Sequence, residues 1–480
     1  MHLASLIDAI APREVRGQGD PEITAISYRA DAAVPGALHV CVPGFTADGH
    51  DFAAAAVGRG AAALVVERPL EPAVPQLVVD SSRRALAAAA DAFHGHPSRE
   101  LTVVGITGTN GKTTTTFLVH AILAAAGMRP GLLGTIESRV GGQVLPVART
   151  TPESADLQAT FRRMLDAGDR SCAMEVSSHA LELERVACTR FAAAGFTNLT
   201  QDHLDFHPDM EHYYQAKARL FREAPGAINV DDPYGRRLAG EAGGRVLTYA
   251  AGDPAADVRP ASLELCGGGR IALTATTPRG DLPLDVALRG RFNVENVLCA
   301  VAVAELLELD HDAVRAGIAA VPGVPGRFEP VDRGQPFTVL VDYAHTPDGL
   351  ENVLTAARSA GSGRLLCVFG CGGDRDRAKR PQMGDVARRL SDLAIVTSDN
   401  PRSERPEAII AEIVDGRPMR TEPDRREAIR LALAAAEPGD VVVIAGKGHE
   451  QGQQFADRTL PFDDRVVAAE LLEQLTHPVR

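Results

Sequence analysis

The sequence predicts an α/β protein of three domains. These are a small N-terminal α/β domain, a central domain with a phosphate-binding loop and a mostly parallel sheet flanked by helices, and a C-terminal Rossmann-like α/β domain. Short apolar strands alternate with helical segments, a pattern typical of parallel, doubly wound sheets. A glycine-rich loop joins one such strand to a helix. The chain has 480 residues, more than one hydrophobic core usually organises.

The first predicted domain covers residues 1–98 and ends at a loop-like His-Gly-His-Pro-Ser segment. Turn residues separate its short apolar runs, which favours strands between helices. We predict these strands at 38–42, 63–66 and 76–79.

The second predicted domain covers residues 99–326. We predict its strands at 101–106, 171–176 and 192–198, and a helix at 114–126, directly after the glycine-rich loop. Residues 258–288 are richer in β-branched residues, glycine and proline, which predicts a small, mostly β insertion. The Val-Pro-Gly-Val-Pro-Gly-Arg segment at 321–327 breaks the periodicity and predicts a linker.

The third predicted domain covers residues 327–480 and resembles another open α/β sheet. Ligands of such sheets bind at the carboxyl ends of the strands. We predict its buried strands at 337–341, 365–369, 393–396 and 441–445.

Composition narrows the classes of function. A net charge of -13 argues against a nucleic-acid-binding protein, which would carry a basic face. We find no apolar run long enough to span a bilayer and no N-terminal secretory signal, so we expect a cytoplasmic protein without membrane insertion. The linkers favour a monomer. Seven scattered cysteines without Cys-x-x-Cys spacing predict reduced, mostly buried thiols: Cys41, Cys172, Cys188, Cys266, Cys299, Cys367 and Cys371.

The glycine-rich loop is the strongest functional signal. Residues 105–116 read Gly-Ile-Thr-Gly-Thr-Asn-Gly-Lys-Thr-Thr-Thr-Thr, with Ile106 where the strict Walker pattern has glycine. Backbone N–H groups and the helix N-terminus can surround phosphates, Lys112 can reach the outer phosphates, and Thr113 can hold Mg²⁺. A Gly-Lys-Thr triplet can also be structural, but the flanking strand and helix favour nucleotide binding. The candidate residues are Gly108, Thr109, Asn110, Gly111, Lys112, Thr113 and Thr114.

Polar clusters follow two later strands. Glu175 and His179 lie at a predicted strand end and the turn after it, where both could reach one metal ion; the alternative is a surface glutamate and a capping histidine. A second cluster, Asp202, His203, Asp205 and His207, follows the strand through Thr197. Zinc is an alternative for this second cluster, although no thiolate spacing supports it.

Together these motifs resemble the ATP-dependent Mur ligases across all three predicted domains. The resemblance rests on residues 108–114, 174–179, 197–205, 213–221, 326–329 and 342–347. Within that family, Asp-Asn-Pro-Arg at 399–402 and Gly-Lys-Gly-His-Glu at 446–450 look like the members that add diaminopimelate to the peptidoglycan stem peptide.

The resemblance implies an ATP- and Mg²⁺-dependent ligase. ATP would phosphorylate the D-glutamate γ-carboxylate of UDP-N-acetylmuramoyl-L-alanyl-D-glutamate, and the amine of meso-diaminopimelate would attack the acyl phosphate. L-lysine or LL-diaminopimelate as the acceptor remains an alternative. So do a non-catalytic nucleotide-binding homologue and a folate or amino-acid polymer ligase of the same superfamily.

The resemblance also implies roles for single residues around ATP. Lys112, His203 and Lys217 would be catalytic, and Lys217 would be carbamylated, although periodicity alone makes it a solvated surface residue. Thr113, Glu175, His179 and the carbamate of Lys217 would hold the metal. Asn293 and Asn296 would contact the adenine side of ATP, with capping as the alternative, and Arg327 and Asp342 would complete the pocket.

Two further sets follow from the resemblance. For diaminopimelate, Arg402 and Arg375 would bind the second carboxylate, and Asn400, the Gly446 carbonyl and Glu450 the ammonium, within a segment that includes Asp399 and Pro401. The nucleotide-sugar peptide would contact Ser27, Arg29, Thr150, Thr151, Ser177 and Arg185. Residues 26–31 differ from the usual Asp-Ser-Arg segment, residues 43–50 could close on uracil, and Leu183 stands where the family often has glutamine.

Overall fold

The computed structural model describes residues 1–265 and 270–476 and has the predicted α/β architecture. The chain divides into two compact units. The first contains Met1–Thr107, Gly127–Ala194 and Arg219–Pro225, and the second contains Gly108–Ala126, Gly195–Ala218 and Gly226–Arg480. The predicted domain boundaries after residues 98 and 326 stay predictions.

The N-terminal part of the first unit is a five-stranded sheet in the order β1-β5-β4-β3-β2, parallel except for β1. Its helix α3 begins after Ser81, whose hydroxyl accepts from the Arg84 N–H, a typical N-cap. All three predicted strands are confirmed within two residues. The elements are α1 Ala4–Ile10, β1 Glu14–Arg16, β2 Ala25–Ser27, β3 Ala37–Val40, α2 Ala53–Gly58, β4 Ala63–Val66, β5 Gln76–Val78 and α3 Ser82–Phe93.

The central segment supplies strands to both units. Within the first unit, β6, β10 and β7 are parallel neighbours and β8 and β9 continue antiparallel; within the second, β12 and β13 pair in parallel. The elements are β6 Thr102–Thr107, α4 Lys112–Ala125, β7 Pro130–Leu133, β8 Ser138–Val140, β9 Gln143–Leu145, α5 Ser154–Asp166, β10 Ser171–Glu175, α6 Ser178–Glu182, β11 Ala193–Phe196, α7 Met210–Ala218, β12 Gly226–Asn229, α8 Pro233–Glu241 and β13 Val246–Tyr249.

The predicted β insertion is confirmed as a three-stranded antiparallel sheet, β14-β15-β16. Its strands are β14 Arg259–Leu265, β15 Ile271–Thr277 and β16 Gly280–Val286, and the helices α9 Asn293–Leu306 and α10 His311–Ala319 follow. The predicted linker at 321–327 contains neither helix nor strand. Cys266 lies outside the described residues; of the other cysteines, Cys188 is exposed and the rest are buried.

The C-terminal part is a six-stranded sheet in the order β17-β18-β22-β19-β20-β21, parallel except for β17. Alternate strand residues face opposite sides, as the pleat requires. Leu340 and Val443 belong to the core under α11, α12 and α13, and Val341 and Val442 to the core under α14 and α15. The elements are β17 Glu329–Pro330, β18 Thr338–Asp342, α11 Pro347–Arg358, β19 Leu365–Phe369, α12 Lys379–Leu390, β20 Leu393–Val396, α13 Pro406–Val414, β21 Arg420–Thr421, α14 Arg425–Ala435, β22 Val441–Ala445, β23 Gly452–Gln454, β24 Thr459–Pro461 and α15 Asp464–Thr476.

This sheet confirms the predicted Rossmann-like arrangement. Strands β20 and β22 point their carboxyl ends toward residues 399–402 and 446–450, where ligands of open α/β sheets bind. In the described part of the chain, no helix is long and apolar enough to cross a membrane.

Candidate active site

The phosphate loop requires two of its glycines. Gly108 and Gly111 have φ of 147° and 86°, a region that favours glycine. A Cβ at Gly108 would lie 1.8 Å from Thr197 Oγ1, and one at Gly111 would lie 2.3 Å from Asn296 Oδ1. The loop backbone therefore packs too closely for side chains, and the helix α4 begins directly after it at Lys112.

Two lysines meet at the same carbonyl of this loop. Lys112 Nζ donates to the carbonyls of Gly108 and Thr109 at 3.0 and 2.9 Å, and Lys217 Nζ donates to the Gly108 carbonyl at 2.7 Å. The interpretation of Lys217 as a solvated surface residue is wrong, because only 1% of this residue is exposed. Burial, and then the charge of Lys112, hold the pKa of Lys217 well below its usual value.

Arg327 reaches the phosphate loop. Its Nη2 donates to Thr113 Oγ1 at 3.1 Å, and its guanidinium lies 4.4 Å from the centre of the Tyr343 ring. Asp342 acts on the backbone instead: its carboxylate accepts from the N–H groups of Phe328 and Ala344, each at 2.7 Å. Asp342 therefore holds the chain next to Arg327 in place, and burial raises the pKa of its carboxyl.

Asn293 and Asn296 are buried at the start of α9, beside the loop. Asn296 Nδ2 donates to Asn293 Oδ1 at 2.8 Å and Asn293 Nδ2 to the Arg289 carbonyl at 2.6 Å. Thr115 Oγ1 donates to Asn296 Oδ1 at 3.3 Å. These contacts stabilise the turn before α9 and place Asn296 against the loop, but they do not support the capping alternative, because no side chain accepts a capping hydrogen bond at the start of this helix.

His203 belongs to a cluster around the buried Asp202. The carboxylate of Asp202 lies 3.5 Å from His203 Nε2, 3.6 Å from His345 Nε2 and 3.2 Å from Lys379 Nζ. Burial alone would raise the pKa of Asp202, but the charges of His203 and Lys379 hold it well below its usual value. Among residues 1–265 and 270–476, no group of three His, Cys, Asp or Glu side chains is placed to hold a metal.

Glu175 lies in the first unit, at the end of β10. Its two carboxylate oxygens accept from the Thr135 N–H at 2.8 Å and the Thr135 hydroxyl at 3.0 Å. The alternative of a surface glutamate is wrong, since only 1% of Glu175 is exposed. His179 lies in the short helix α6 and not in a turn, because Ser177 caps that helix by accepting from the Ala180 N–H.

Most residues predicted for the nucleotide-sugar peptide are neighbours in the first unit. Thr151 Oγ1 accepts from the Ser177 N–H at 3.1 Å, and Arg185 Nη1 donates to the Thr151 carbonyl at 3.4 Å. Thr150 Oγ1 lies 3.0 Å from Thr135 Oγ1. Ser27 and Arg29 have other partners: Ser27 Oγ lies 3.0 Å from His39 Nδ1, and the exposed Arg29 pairs with Asp31 at 2.6 Å. The structure joins neither of these two residues to the Thr151 group.

In the second unit, the buried Asn400 and Lys447 form one network with the partly exposed Glu450. Asn400 Nδ2 donates to Glu450 Oε2 at 2.8 Å. Lys447 Nζ donates to Asn400 Oδ1 at 2.9 Å and to Glu450 Oε2 at 2.8 Å, and lies 3.5 Å from Asp399 Oδ1. Lys447 is fully buried, and sequence reasoning assigned it no role although it lies inside the 446–450 motif. Gly446 has φ of 114°, and a Cβ there would lie 3.0 Å from Asp399 Oδ2.

Arg402 is not a plain surface arginine. Its backbone is left-handed, with φ of 52°, and its Nη1 donates to the Gly373 carbonyl at 2.7 Å. Burial, and then the charge of Arg375, lower the pKa of Arg402. Arg375 itself is exposed and lies 3.9 Å from Asp205. Two cations therefore lie near each other at the carboxyl end of the sheet, next to the Asn400 network.

The fold and the site define a nucleotide-dependent ligase. Family models match in three places: the Mur ligase family catalytic domain at residues 22–94, the Mur ligase middle domain at 106–304 and the Mur ligase glutamate ligase domain at 326–448. The chain belongs to the Mur ligase family.

Full-length relatives agree with this assignment. The UDP-N-acetylmuramoyl-L-alanyl-D-glutamate--2,6-diaminopimelate ligase of Geobacter metallireducens is 46% identical over 510 residues, covering 99% of both chains. The enzyme of that name from Streptomyces coelicolor is 46% identical over 491 residues, covering 98% of this chain and 96% of the relative. A solved structure of such a ligase is 32% identical, with a TM-score of 0.69 over 99% of this chain and 100% of that one. A MurF ligase from Thermotoga maritima, solved with ADP, is 19% identical with a TM-score of 0.61 over 94% and 96% of the chains, and shows the fold alone.

Proposed function

We propose that this protein is an ATP-dependent, ADP-forming amide ligase of peptidoglycan precursor synthesis. It joins meso-diaminopimelate to the D-glutamate γ-carboxylate of UDP-N-acetylmuramoyl-L-alanyl-D-glutamate. The single observation that carries the acceptor is Arg402, held beside the Asn400, Lys447 and Glu450 network. The names of full-length relatives at 44–47% identity support the same reaction.

A carboxylate must be activated before an amine can displace one of its oxygens. A γ-carboxylate oxygen of the substrate attacks the γ-phosphorus of ATP, the bond to the bridging oxygen breaks, and ADP leaves. The amine then attacks the acyl carbon, loses a proton and expels inorganic phosphate. Residues 108–114 would hold the phosphates, and Lys112 and Arg327 would offset the charge that develops on them. We assign His203 to the same region, and Asn293, Asn296 and Asp342 to the rest of the ATP pocket.

The assigned oxygen donors suit magnesium. In the second unit, the Thr113 hydroxyl at the start of α4 is a hard ligand of the kind that Mg²⁺ prefers, and we assign a carbamate on Lys217 to that ion. In the first unit, we assign the buried Glu175 carboxylate and His179 to metal binding. When bound, Mg²⁺ neutralises charge between the triphosphate and the carboxylate. The lowered pKa of Lys217 supports the carbamate, since a neutral amine adds to CO₂ with release of a proton.

The two ends of diaminopimelate call for different partners. Arg402 and Arg375 would bind the carboxylate that lysine lacks, and Asn400, Glu450 and the Gly446 carbonyl would bind the ammonium, with Asp399 and Pro401 shaping the turn. In the first unit, we assign the nucleotide-sugar peptide to Ser27, Arg29, Thr150, Thr151, Ser177 and Arg185. The substrates are then small molecules, and we place the enzyme in the cytoplasm as a monomer.

Substitution of Arg402 tests the acceptor assignment. Arg402→Ala should raise the KM for diaminopimelate at least about tenfold, because a charge-assisted hydrogen bond contributes roughly 1.5–3 kcal/mol. ADP release is measured with the UDP-linked dipeptide and either diaminopimelate or lysine. Arg405→Ala is the control, since Arg405 is exposed, three residues away, and pairs only distantly with Glu407 at 3.8 Å. Equal turnover of lysine and diaminopimelate by the wild type would instead favour the lysine-adding alternative.

A further inference from the structure

The proposed function assigns Arg375 and Arg402 to the second carboxylate of diaminopimelate, which we call the distal carboxylate. The two arginines lie on two backbone segments, which we name the Arg375 loop, residues 370–376, and the arginine turn, residues 399–404. The Gly373 N–H donates to the Asn400 carbonyl at 2.9 Å, and Arg402 Nη1 donates back to the Gly373 carbonyl. A Cβ at Gly373 would lie 1.9 Å from the Pro401 carbonyl oxygen. The loop and the turn therefore pack backbone against backbone.

Side chains reinforce this contact. The carboxylate of Asp374 accepts from the Ser403 N–H at 3.1 Å and from the Ser403 hydroxyl at 2.6 Å. In the other direction, the Asp374 N–H donates to Glu404 Oε1 at 2.7 Å. Each segment thus offers one carboxylate to the backbone of the other.

Arg380, in helix α12, forms hydrogen bonds to both segments. Its guanidinium is fully buried and donates to both oxygens of Glu404, at 2.8 and 2.9 Å, in a bidentate pair. It also donates to the Gly372 carbonyl at 3.3 Å. The hydrogen bonds from Arg380 lower the pKa of Glu404 to about 2, so the pair is charged at neutral pH.

We propose that Arg380 and Glu404 are positioning residues that set the selectivity for a diaminopimelate over lysine. They hold the Arg375 loop against the arginine turn and thereby fix the separation of Arg375 and Arg402. This inference rests on the proposed function. Lysine has no distal carboxylate, so its use does not depend on that separation.

Glu412 of α13 offers a matched comparison. It accepts from the same guanidinium, with Arg380 Nη1 at 2.7 Å, and also from Arg377. In the described part of the chain its hydrogen bonds go to these two arginines, and neither bond ties it to the arginine turn. A change at Glu412 therefore weakens the support of Arg380 without releasing Glu404.

The experiment compares Glu404→Gln and Glu412→Gln in the full-length protein. For each, kcat and KM are measured with meso-diaminopimelate and with lysine, together with the thermal midpoint. We expect Glu404→Gln to raise the KM for diaminopimelate about tenfold with kcat nearly unchanged, so that the ratio of the two kcat/KM values falls about tenfold. Glu412→Gln should lower the thermal midpoint and keep the ratio. Arg380→Lys, which keeps the charge but not the fork, should behave like Glu404→Gln.

Two results would overturn the inference while the proposed function stands. One is an unchanged ratio in Glu404→Gln; the other is an equal fall of the ratio in both glutamate variants, which would show a purely structural role. A wild type that releases no ADP with diaminopimelate would overturn the proposed function, and the inference would fall with it.

Discussion

Burial changes the chemistry of single ionisable groups around the phosphate loop. Lys217 is buried beside a second lysine, which favours its neutral form. Glu295, on α9, is an acid whose charged form is likewise disfavoured by burial. Asn229 Nδ2 donates to its carboxylate at 3.4 Å, and burial, followed by the charges of Asp231 and Asp348, raises the pKa of Glu295 to about 7.

The raised pKa of Glu295 predicts a pH-dependent stability. Between its ordinary value of 4.5 and about 7, the folded state binds more protons than the unfolded state, so the free energy of unfolding falls as pH rises. Glu295→Gln removes this loss. At pH 8 we expect the free energy of unfolding of the variant to exceed that of the wild type by about 1–2 kcal/mol, and the difference to vanish near pH 4.5. Partial exposure of the residue keeps this difference small.

Urea unfolding at pH 5 and pH 8 measures this difference. Glu308→Gln, an exposed change just after the same helix, is the control for the loss of one carboxylate charge. A Glu295→Gln effect of the same size at both pH values would show that the carboxyl does not titrate in this range.

Single residues received roles from the sequence where a short motif carries their chemistry. Lys112 was assigned from the glycine-rich loop and Arg402 from the family resemblance of residues 399–402, and both roles stay predictions. Lys447 received no role, because its partners Asn400 and Asp399 lie more than 45 residues away in sequence and meet it only when β20 and β22 lie on either side of β19 in the sheet. Asp202 was predicted as part of a polar cluster, but its partners His345 and Lys379 were not, because they belong to a later segment of the chain. For Ser27 and Arg29, the altered segment gave residue types but no geometry.

At the scale of elements, buried strands were the most predictable feature. The strands β4, β19, β20 and β22 begin and end where the apolar runs do, because both faces of a parallel sheet are covered and the runs are continuous. The short strands β1, β9 and β21 were not predicted. Their residues are mostly exposed, and pairing with a neighbouring strand, not local composition, makes them strands.

The start of helix α12 supplies a testable contact. Its first residue, Lys379, is buried, and its Nζ lies 3.2 Å from the Asp202 carboxylate. Lys379→Met leaves the buried carboxylate of Asp202 without its lysine partner, so we expect a loss of about 3 kcal/mol in the free energy of unfolding. Adding Asp202→Asn should recover part of this loss, and a double-mutant cycle by urea unfolding measures the coupling.

An exposed pair on the same helix serves as the comparison. Arg389 pairs with Glu351 at 2.9 Å, with both side chains about half exposed, and Arg389→Met should cost less than about 1 kcal/mol. If Lys379→Met and Arg389→Met lower the free energy of unfolding equally, the contact of Lys379 with Asp202 is no stronger than an exposed ion pair.

The architecture of the whole molecule was predicted from the alternation of strands and helices. The glycine-rich loop at 105–116 and the linker at 321–327 contributed to this prediction. The division of residues between the two compact units was beyond the sequence, since it depends on which segments pack together after the chain has folded back on itself. Residues assigned to the phosphates and to diaminopimelate belong to the second unit, and residues assigned to the sugar-linked peptide belong to the first.

The most direct test is the identity of the product formed in competition. The wild type is given ATP, Mg²⁺, UDP-N-acetylmuramoyl-L-alanyl-D-glutamate and equal amounts of meso-diaminopimelate and lysine. The products are identified and quantified by mass spectrometry. We predict the diaminopimelate amide, with one ADP and one phosphate released per amide formed. A product that contains mainly lysine, or ATP consumption without any amide, would contradict the account.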